Sequence, residues 1–243
     1  MRTRILAAAG IAILAAAAGF VALRARALRG AIDRTSCPPE TTTPGIDVSY
    51  HQQTIDWPRV RLAGIRFAFI RVSDGAALRD TMFTTNWAEA RRAGVVRGAY
   101  QYFRPDQSVT TQADLMIAAM RGLERDDLPP VIDVEVDGGL DVSLVAERAA
   151  AWVAQVRARL GVEPIVYTGS DLWRTGGADP LGPQPLWIAH YTQSCPSLPS
   201  PWTRWAFWQH TDHGAVPGIE GPVDLDRFAG TPAELKALRT EVR

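Results

Sequence analysis

The chain has 243 residues, 21% charged and 47% apolar, and its 26 acidic side chains balance its 26 basic ones. This length fits one large domain, and the charge balance argues against a surface that binds nucleic acid or another polyanion. Eight Trp and five Tyr are present. Such rings mostly fill cores, but they also stack on the apolar faces of sugars.

The N-terminal segment, residues 1–30, differs in composition from the rest of the chain. Arg2 and Arg4 precede an uncharged apolar run from Ile5 to Leu23, and more arginines follow it. Such a run in a helix spans roughly 28 Å, close to the hydrocarbon thickness of a bilayer. Because it is longer than the apolar region of a usual signal peptide, an uncleaved transmembrane anchor is favoured over a cleaved signal. Either one predicts an exported protein of the cell envelope, although arginines at both ends leave the orientation open.

Residues 31–43 are short, polar and rich in proline, which is typical of a linker between a membrane and a domain. Cys37 lies in this linker, and Cys195 lies in a Pro/Ser-rich stretch far along the chain. In an exported protein two cysteines so placed predict a disulfide that fastens the linker to the domain. The alternative is two free thiols.

The remaining residues, 44–243, alternate short apolar runs with helical patterns. Residues 81–94 and 143–161 have helical spacing, with Ser143 as the expected N-cap and Gly161 as the expected left-handed C-terminal residue. Strands that alternate with helices predict an α/β fold with a parallel sheet, and eight strands favour closure into a barrel. Because Pro and Gly crowd its later connections, the barrel should be regular first and irregular afterwards. The eight predicted strands are residues 45–50, 67–73, 96–103, 130–136, 164–169, 186–191, 205–211 and 223–228.

Acidic residues fall inside several of these apolar strands. Asp133 and Glu135 interrupt the run "PVIDVEV", and as residues i and i+2 of a strand they must face the same side. Further acids lie in the first and last strands, so parallel strands would bring carboxylates together at the mouth of a barrel. Crowded carboxylates away from water acquire raised pKa values, which suits a general acid near neutral pH. The acids outside the central pair are Asp47, Asp224 and Asp226.

Other interpretations remain open for each acid. Asp47 or Asp224 alone would be an ordinary cap or turn residue, and Glu135 could form a buried salt bridge with Arg71. A carboxylate site for Mg²⁺ or Ca²⁺ is a further alternative, although we expect no metal because His and Cys lack ligand spacing. The sequence contains no GxSxG element, P-loop or dinucleotide-binding fingerprint.

The motifs "GIDVSYHQQTIDW", "GVVRGAYQYFRP", "PPVIDVEVDGG", "PIVYTGSDLW", "PLWIAHY", "WAFWQHT" and "VDLDRFAG" occur in this order. In this combination, over residues 44–240, the chain resembles the glycoside hydrolase family 25 lysozymes. The resemblance implies an irregular TIM-like (β/α) barrel, with five β/α units followed by about three further strands. It also implies a muramidase that cleaves the β-1,4 bond between N-acetylmuramic acid and N-acetylglucosamine in peptidoglycan, without a cofactor.

The resemblance also implies roles for individual residues. Glu135 corresponds to the proton donor and Asp133 to the group that stabilises the developing positive charge or orients the N-acetyl group. Asp47 and Asp224 correspond to the other two acids, with Asp224 preferred over Asp226. Relatives often carry Glu-Gly after the second strand, where this chain has Asp74, so one substrate contact differs. The implied substrate-binding residues are Tyr100, Tyr102, Tyr167, Trp187, Trp208, Gln209 and Asp74.

We therefore expect a monomeric enzyme that acts on peptidoglycan glycan strands and is attached to the membrane through its N-terminal helix. Substrate-assisted retention of the anomeric configuration is our mechanistic hypothesis, since the N-acetyl group offers an internal nucleophile. The competing hypothesis is a peptidoglycan-binding module of the envelope that does not turn over its ligand. A chitinase of another barrel family would need a longer Asp-x-x-Asp-x-Asp-x-Glu series, of which only the last two acids are present.

Overall fold

The structure, a computed structural model, describes residues 34–121 and 127–238. Its strands are β1 (Arg34–Thr35), β2 (Thr43–Val48), β3 (Phe67–Asp74), β4 (Leu78–Arg79), β5 (Val96–Tyr102), β6 (Val131–Asp133), β7 (Ile165–Gly169), β8 (Leu186–Ala189), β9 (Ser197–Leu198), β10 (Phe207–Gly214) and β11 (Val223–Phe228). Its α-helices are α1 (Trp57–Leu62), α2 (Phe83–Arg92), α3 (Val109–Ala119), α4 (Val142–Leu160) and α5 (Pro232–Ala237).

Eight strands form one closed barrel. The order around it is β2, β11, β10, β8, β7, β6, β5 and β3, and pairing of β2 with β3 closes the ring. Seven of these strands run parallel to one another, whereas β11 is antiparallel to both of its neighbours, β10 and β2. The predicted α/β barrel and its eight strands are therefore confirmed. The prediction for residues 130–136 was too long, because β6 ends at Asp133.

The interior of the barrel is filled mainly by aromatic rings. Phe69 stacks on Trp187 with ring centroids 4.4 Å apart, and Phe207 packs edge-on against Phe69 at 5.0 Å. A Cβ atom at Gly45 of β2 would lie 2.2 Å from the ring of Phe67, so this strand position requires glycine. The aromatic packing closes the barrel below its mouth, so polar side chains at the carboxyl ends of the strands have a rigid floor.

Helices cover the outside of the barrel in the first half of the chain. α1 and α2 pack on one side, and α3 and α4 pack on another. The predicted helix at 143–161 is confirmed as α4, with Gly161 left-handed at φ 71°. The predicted N-cap, Ser143, was wrong: Asp141 takes this place and accepts a hydrogen bond from the backbone N–H of Ser143 at 2.9 Å.

The second half of the barrel is less regular, as the Pro and Gly content predicts. β7 connects to β8 through two 3₁₀ turns, Asp171–Trp173 and Asp179–Leu181, instead of an α-helix. The connection from β8 to β10 contains the short strand β9. Four α-helical connections are thus followed by a fifth that is only partly helical.

Part of the predicted linker is bound to the barrel. β1 pairs antiparallel with β9, and the indole Nε1 of Trp205 donates to the carbonyl oxygen of Ser36 at 2.9 Å. Cys37 and Cys195 form the predicted disulfide, 158 residues apart in sequence. Residues 34–37 are therefore fixed in place and do not act as a free spacer.

The predicted membrane segment, residues 1–30, lies outside the described residues. Within residues 34–121 and 127–238, none of the helices combines the length and the apolar character needed to span a bilayer.

Candidate active site

Five acidic side chains meet at the mouth of the barrel, where the parallel strands end. Asp133 is the last residue of β6, and Glu135 follows two residues later. On the opposite side, Asp47 of β2 lies directly across from Asp224 in the antiparallel pairing of β2 with β11. Asp226 lies two residues along β11 and faces the same side as Asp224.

Beyond the end of β6 the backbone remains tied to the next strand. The N–H of Val134 donates to the carbonyl oxygen of Tyr167 at 2.9 Å, and the hydroxyl of Thr168 donates to the carbonyl oxygen of Val134 at 2.7 Å. Asp133 is buried, whereas Glu135 is exposed. The expectation of two acids inside a buried strand is corrected here: Glu135 extends past the rim, so its carboxyl group is accessible to a substrate.

Asp133 and Glu135 form a coupled pair of carboxyl groups. Burial raises the pKa of Asp133 well above its ordinary value, the charge of Glu135 raises it further, and the charge of Arg71 opposes this. Partial burial also raises the pKa of Glu135, while a hydrogen bond with Asp133 lowers it. The two carboxyl groups can therefore share one proton at a pH where isolated carboxyls would both be ionised.

Asp47, Asp224 and Asp226 form a second acidic group on the other side of the mouth. Burial, followed by the charges of Asp224 and Asp226, raises the pKa of Asp47 well above its ordinary value. Burial also raises the pKa of Asp226, which lies inside the barrel and accepts a hydrogen bond from the indole Nε1 of Trp187 at 2.9 Å. The family resemblance favoured Asp224 over Asp226 as a site residue, but Asp226 belongs to the same acidic group.

A hydrogen-bonded chain fixes the position of Asp47. The amide Nε2 of Gln209 donates to Asp47 at 2.7 Å, and the amide oxygen of Gln209 accepts hydrogen bonds from Tyr167 at 2.8 Å and Tyr191 at 3.0 Å. The two tyrosine donors determine which way the amide points, so its N–H group must face the carboxyl. Tyr191 was missed by the sequence analysis, although its place two residues after β8 is where mouth residues are expected.

Four of the five acids, all except Asp226, line a cleft of about 240 Å³. An adjoining depression of about 380 Å³ shares Glu135, Tyr167 and Tyr191 with this cleft, so the groove continues past β7 and β8. A larger depression of about 860 Å³, between residues 52–59 and 217–221, contains none of the five acids. The predicted site residues that line the acidic cleft are Asp47, Asp133, Glu135, Asp224, Tyr100, Tyr102, Tyr167, Trp187 and Gln209.

Two predicted substrate-binding residues have other surroundings. Trp208 alternates with Gln209 along β10, so it faces outward, where its Nε1 donates to the carbonyl oxygen of His190 at 2.8 Å. Its prediction as a groove residue was therefore wrong. Asp74 forms two hydrogen bonds with Arg104, at 2.6 and 2.8 Å, and lines a separate depression of about 440 Å³ beside the cleft.

The surroundings of the acids differ from those that the alternative interpretations require. Arg71 bonds to Asp80 at 3.1 Å and leaves Glu135 without the proposed salt bridge. Within the described part of the chain, no three His, Cys, Asp or Glu side chains are arranged to hold a metal ion. The acids are not simple caps, since they face one another across a cleft.

Comparisons with known proteins agree with this geometry. Residues 46–219 match the family model "Glycosyl hydrolases family 25". Lysozyme M1 of Streptomyces globisporus is 36% identical over 222 residues, which are 86% of this chain and 76% of that protein. The bacterial lysozyme from Streptomyces coelicolor has a similar structure, with a TM-score of 0.77 and 32% identity over 84% of this chain and 100% of its own. A family GH25 lysozyme from Aspergillus fumigatus has a TM-score of 0.74 and 28% identity over 82% of this chain and 100% of its own. The chain belongs to glycosyl hydrolase family 25.

Proposed function

We propose that this protein is a muramidase, which hydrolyses the β-1,4 bond between N-acetylmuramic acid and N-acetylglucosamine in peptidoglycan. The observation that carries the proposal is the coupled pair of carboxyl groups at the mouth, one buried and one exposed, inside a cleft lined by tyrosines and a tryptophan. The relatives named as lysozyme support the choice of substrate.

In the proposed reaction Glu135 donates its proton to the glycosidic oxygen as the bond from that oxygen to the anomeric carbon breaks. For this step the proton that the pair shares moves from Asp133 to Glu135, so that Asp133 is ionised and its charge stabilises the positive charge that develops on the sugar. The N-acetyl oxygen closes onto the anomeric carbon, and water then opens this intermediate with retention. Glu135 takes back a proton from the attacking water.

The products of digestion test the proposed bond. Purified peptidoglycan treated with the protein should release fragments whose new reducing end is muramic acid, identified by mass spectrometry after borohydride reduction. Reduced glucosamine ends would contradict the proposal, because they indicate cleavage of the other glycosidic bond. Proton NMR of the first-formed anomer tests retention, and an inverted first product would exclude it.

We also propose that residues 1–30 bring the enzyme to the outer face of the cytoplasmic membrane and remain attached as an anchor. The disulfide supports an oxidising location, since such bonds persist mainly in exported proteins. The test is fractionation of cells that produce the full chain, with mass spectrometry of the N-terminal peptide. Recovery of the protein only from the medium, with residues 1–30 removed, would show a cleaved signal instead.

A further inference from the structure

His190 directly follows the last residue of β8. Together with Glu135 and Tyr191 it lines the depression of about 380 Å³ that continues the acidic cleft past β7 and β8. The residue is neither buried nor fully exposed, so a ligand in the depression can reach it. Neither the family resemblance nor the proposed mechanism assigns a role to His190.

A hydrogen bond from the backbone fixes which ring nitrogen of His190 carries the hydrogen. The N–H of Ser197, in β9, donates to Nδ1 of His190 at 2.8 Å. In a neutral imidazole one nitrogen accepts and the other donates, so the hydrogen lies on Nε2. Nε2 has no hydrogen-bond partner among the described residues. His190 therefore carries a donor of fixed identity that the described part of the protein does not use.

The segment that contains Ser197 is held from outside the barrel. β9 pairs with β1, and the N–H of Ser36 donates to the carbonyl oxygen of Pro196 at 3.0 Å. The disulfide between Cys37 and Cys195 fastens the same two segments. The acceptor nitrogen of the imidazole thus contacts a segment fixed by strand pairing and by a covalent bond, and the ring cannot turn over without losing its bond from Ser197.

The backbone of His190 and its neighbour Tyr191 are fixed as well. The N–H of His190 donates to the carbonyl oxygen of Gln209 at 3.1 Å, and its carbonyl oxygen accepts from Nε1 of Trp208 at 2.8 Å. Tyr191 is 53% exposed, although its hydroxyl donates to Gln209 at 3.0 Å. An exposed ring held by its hydroxyl, next to a fixed N–H donor, combines the apolar surface and the directional polar group that suit a sugar ring.

We propose that His190 binds the glycan strand, with its Nε2–H donating to a hydroxyl oxygen of the sugar that occupies this depression. Because Glu135 lines the same depression, that sugar adjoins the bond to be cleaved. The inference rests on the proposed function, since it concerns the strand that the enzyme cuts. A contact of this kind is made before and during the reaction alike, so its loss should raise KM and leave kcat nearly unchanged.

Two substitutions separate the roles of the two ring nitrogens. In His190→Asn the side-chain oxygen takes the place of Nδ1 and accepts from Ser197, but the donor at Nε2 is lost. In His190→Gln the amide lies one bond further out, at the distance of Nε2, so a donor to the sugar remains while the bond from Ser197 is lost. The matched control is His210→Asn, because His210 is also partly exposed but lines neither the cleft nor the depression.

The substrate for the test is a soluble, peptide-free glycan of two disaccharide units, and the melting temperature of each protein is recorded beside kcat and KM. We expect His190→Asn to raise KM about fivefold, with kcat and melting temperature near those of the wild type, since one hydrogen bond between neutral groups is lost. His190→Gln should lower the melting temperature and leave KM closer to that of the wild type. His210→Asn should leave KM unchanged.

The order of the two His190 variants distinguishes binding from a structural role. A structural role would make KM follow the melting temperature, so that His190→Gln is affected more than His190→Asn, and this order would overturn the proposal. If His190→Gln does not fold, an equal KM in His190→Asn and His210→Asn overturns it instead. NMR of the ring nitrogens in the wild type is a second readout, and a hydrogen on Nδ1 of the neutral ring would likewise exclude the proposed contact.

Failure of the proposed function gives a different result, because the wild type would then leave both the soluble glycan and purified peptidoglycan uncut. Binding of the same glycan to Glu135→Gln, with and without His190→Asn, is measured by NMR titration and needs no turnover. A dissociation constant about fivefold weaker in the double variant supports the role of His190 whether or not the wild type cuts the glycan. Equal constants overturn it.

Discussion

The two sides of the acidic mouth are held in different ways. On the β2 and β11 side, protein donors clamp the carboxyl groups: Gln209 bonds to Asp47 and Trp187 bonds to Asp226. On the β6 side, Glu135 is exposed, and it shares a hydrogen bond with another carboxyl group, that of Asp133. A carboxyl group held by protein donors keeps a fixed position, whereas an exposed one that shares a proton can exchange it with a ligand. We infer that proton transfer belongs to the β6 side and electrostatic support to the other.

The largest effect is expected from Glu135→Gln. This substitution keeps the shape of the side chain but removes the transferable proton, so the rate of wall hydrolysis should fall by about 10² to 10⁴-fold, the usual contribution of general acid catalysis. The measurement is the loss of turbidity of purified cell walls. Asp137→Asn, two residues further along and exposed, is the matched control and should keep nearly full activity. Equal activity of the wild type and Glu135→Gln would show that another residue is the proton donor.

Asp47→Asn tests the role of the acids on the β2 and β11 side of the mouth. We expect the turnover number to fall by roughly 10 to 100-fold, because the acid that Gln209 holds at the mouth is lost while the proton donor remains. At pH 4 the melting temperature should change little, since the asparagine still accepts the hydrogen bond from Gln209. A loss of activity as large as that of Glu135→Gln would contradict the division between the two sides.

The sequence predicted the barrel well because its signals are local. Each strand carries its own apolar run, and α4 has its own periodicity and C-terminal glycine. The acids were found for the same reason, since a carboxylate among Val and Ile side chains stands out. The prediction failed for Trp208 because it placed two successive residues of β10, Trp208 and Gln209, in the groove, whereas successive strand residues face opposite sides of the sheet.

Contacts between distant parts of the chain could not be predicted from local signals. Nothing near Tyr191 in sequence indicates that its hydroxyl donates to Gln209, and nothing near Thr35 indicates that β1 pairs with β9. The same holds for Asp226, whose burial depends on Trp187 from another strand. The fold class follows from patterns along the chain, whereas the hydrogen bonds of the site follow from barrel closure.

The stability of the folded protein should depend on pH through the buried acids of β2 and β11. Burial raises the pKa of Asp226 and of Asp47 well above their ordinary values, so the folded state binds these protons more tightly than the unfolded state. The contribution of these two groups to the free energy of unfolding is therefore greatest below the pKa of an aspartate in the unfolded chain, near pH 4. It falls as the pH rises above this value, by at most about 1.4 kcal/mol per pH unit for each group. Asp226→Asn removes one such group and should flatten the fall in melting temperature between pH 4 and 8. An equally steep fall in this variant would show that Asp226 does not contribute.

The smallest effect on activity is expected from Arg104→Met, which tests the β6 side of the mouth, where Glu135 lies. The positive charge of Arg104 lowers the pKa of Glu135, and Arg104 also neutralises Asp74 by two hydrogen bonds. Removing this charge should raise the pKa of Glu135. Because Glu135 acts in its protonated form, the alkaline limb of the pH–activity profile should move to higher pH, with little change in the maximal rate. Arg104→Lys keeps the charge and is the control, so its profile should stay near that of the wild type. A shift of the same size in both variants would mean that the guanidinium acts through its geometry and not through its charge.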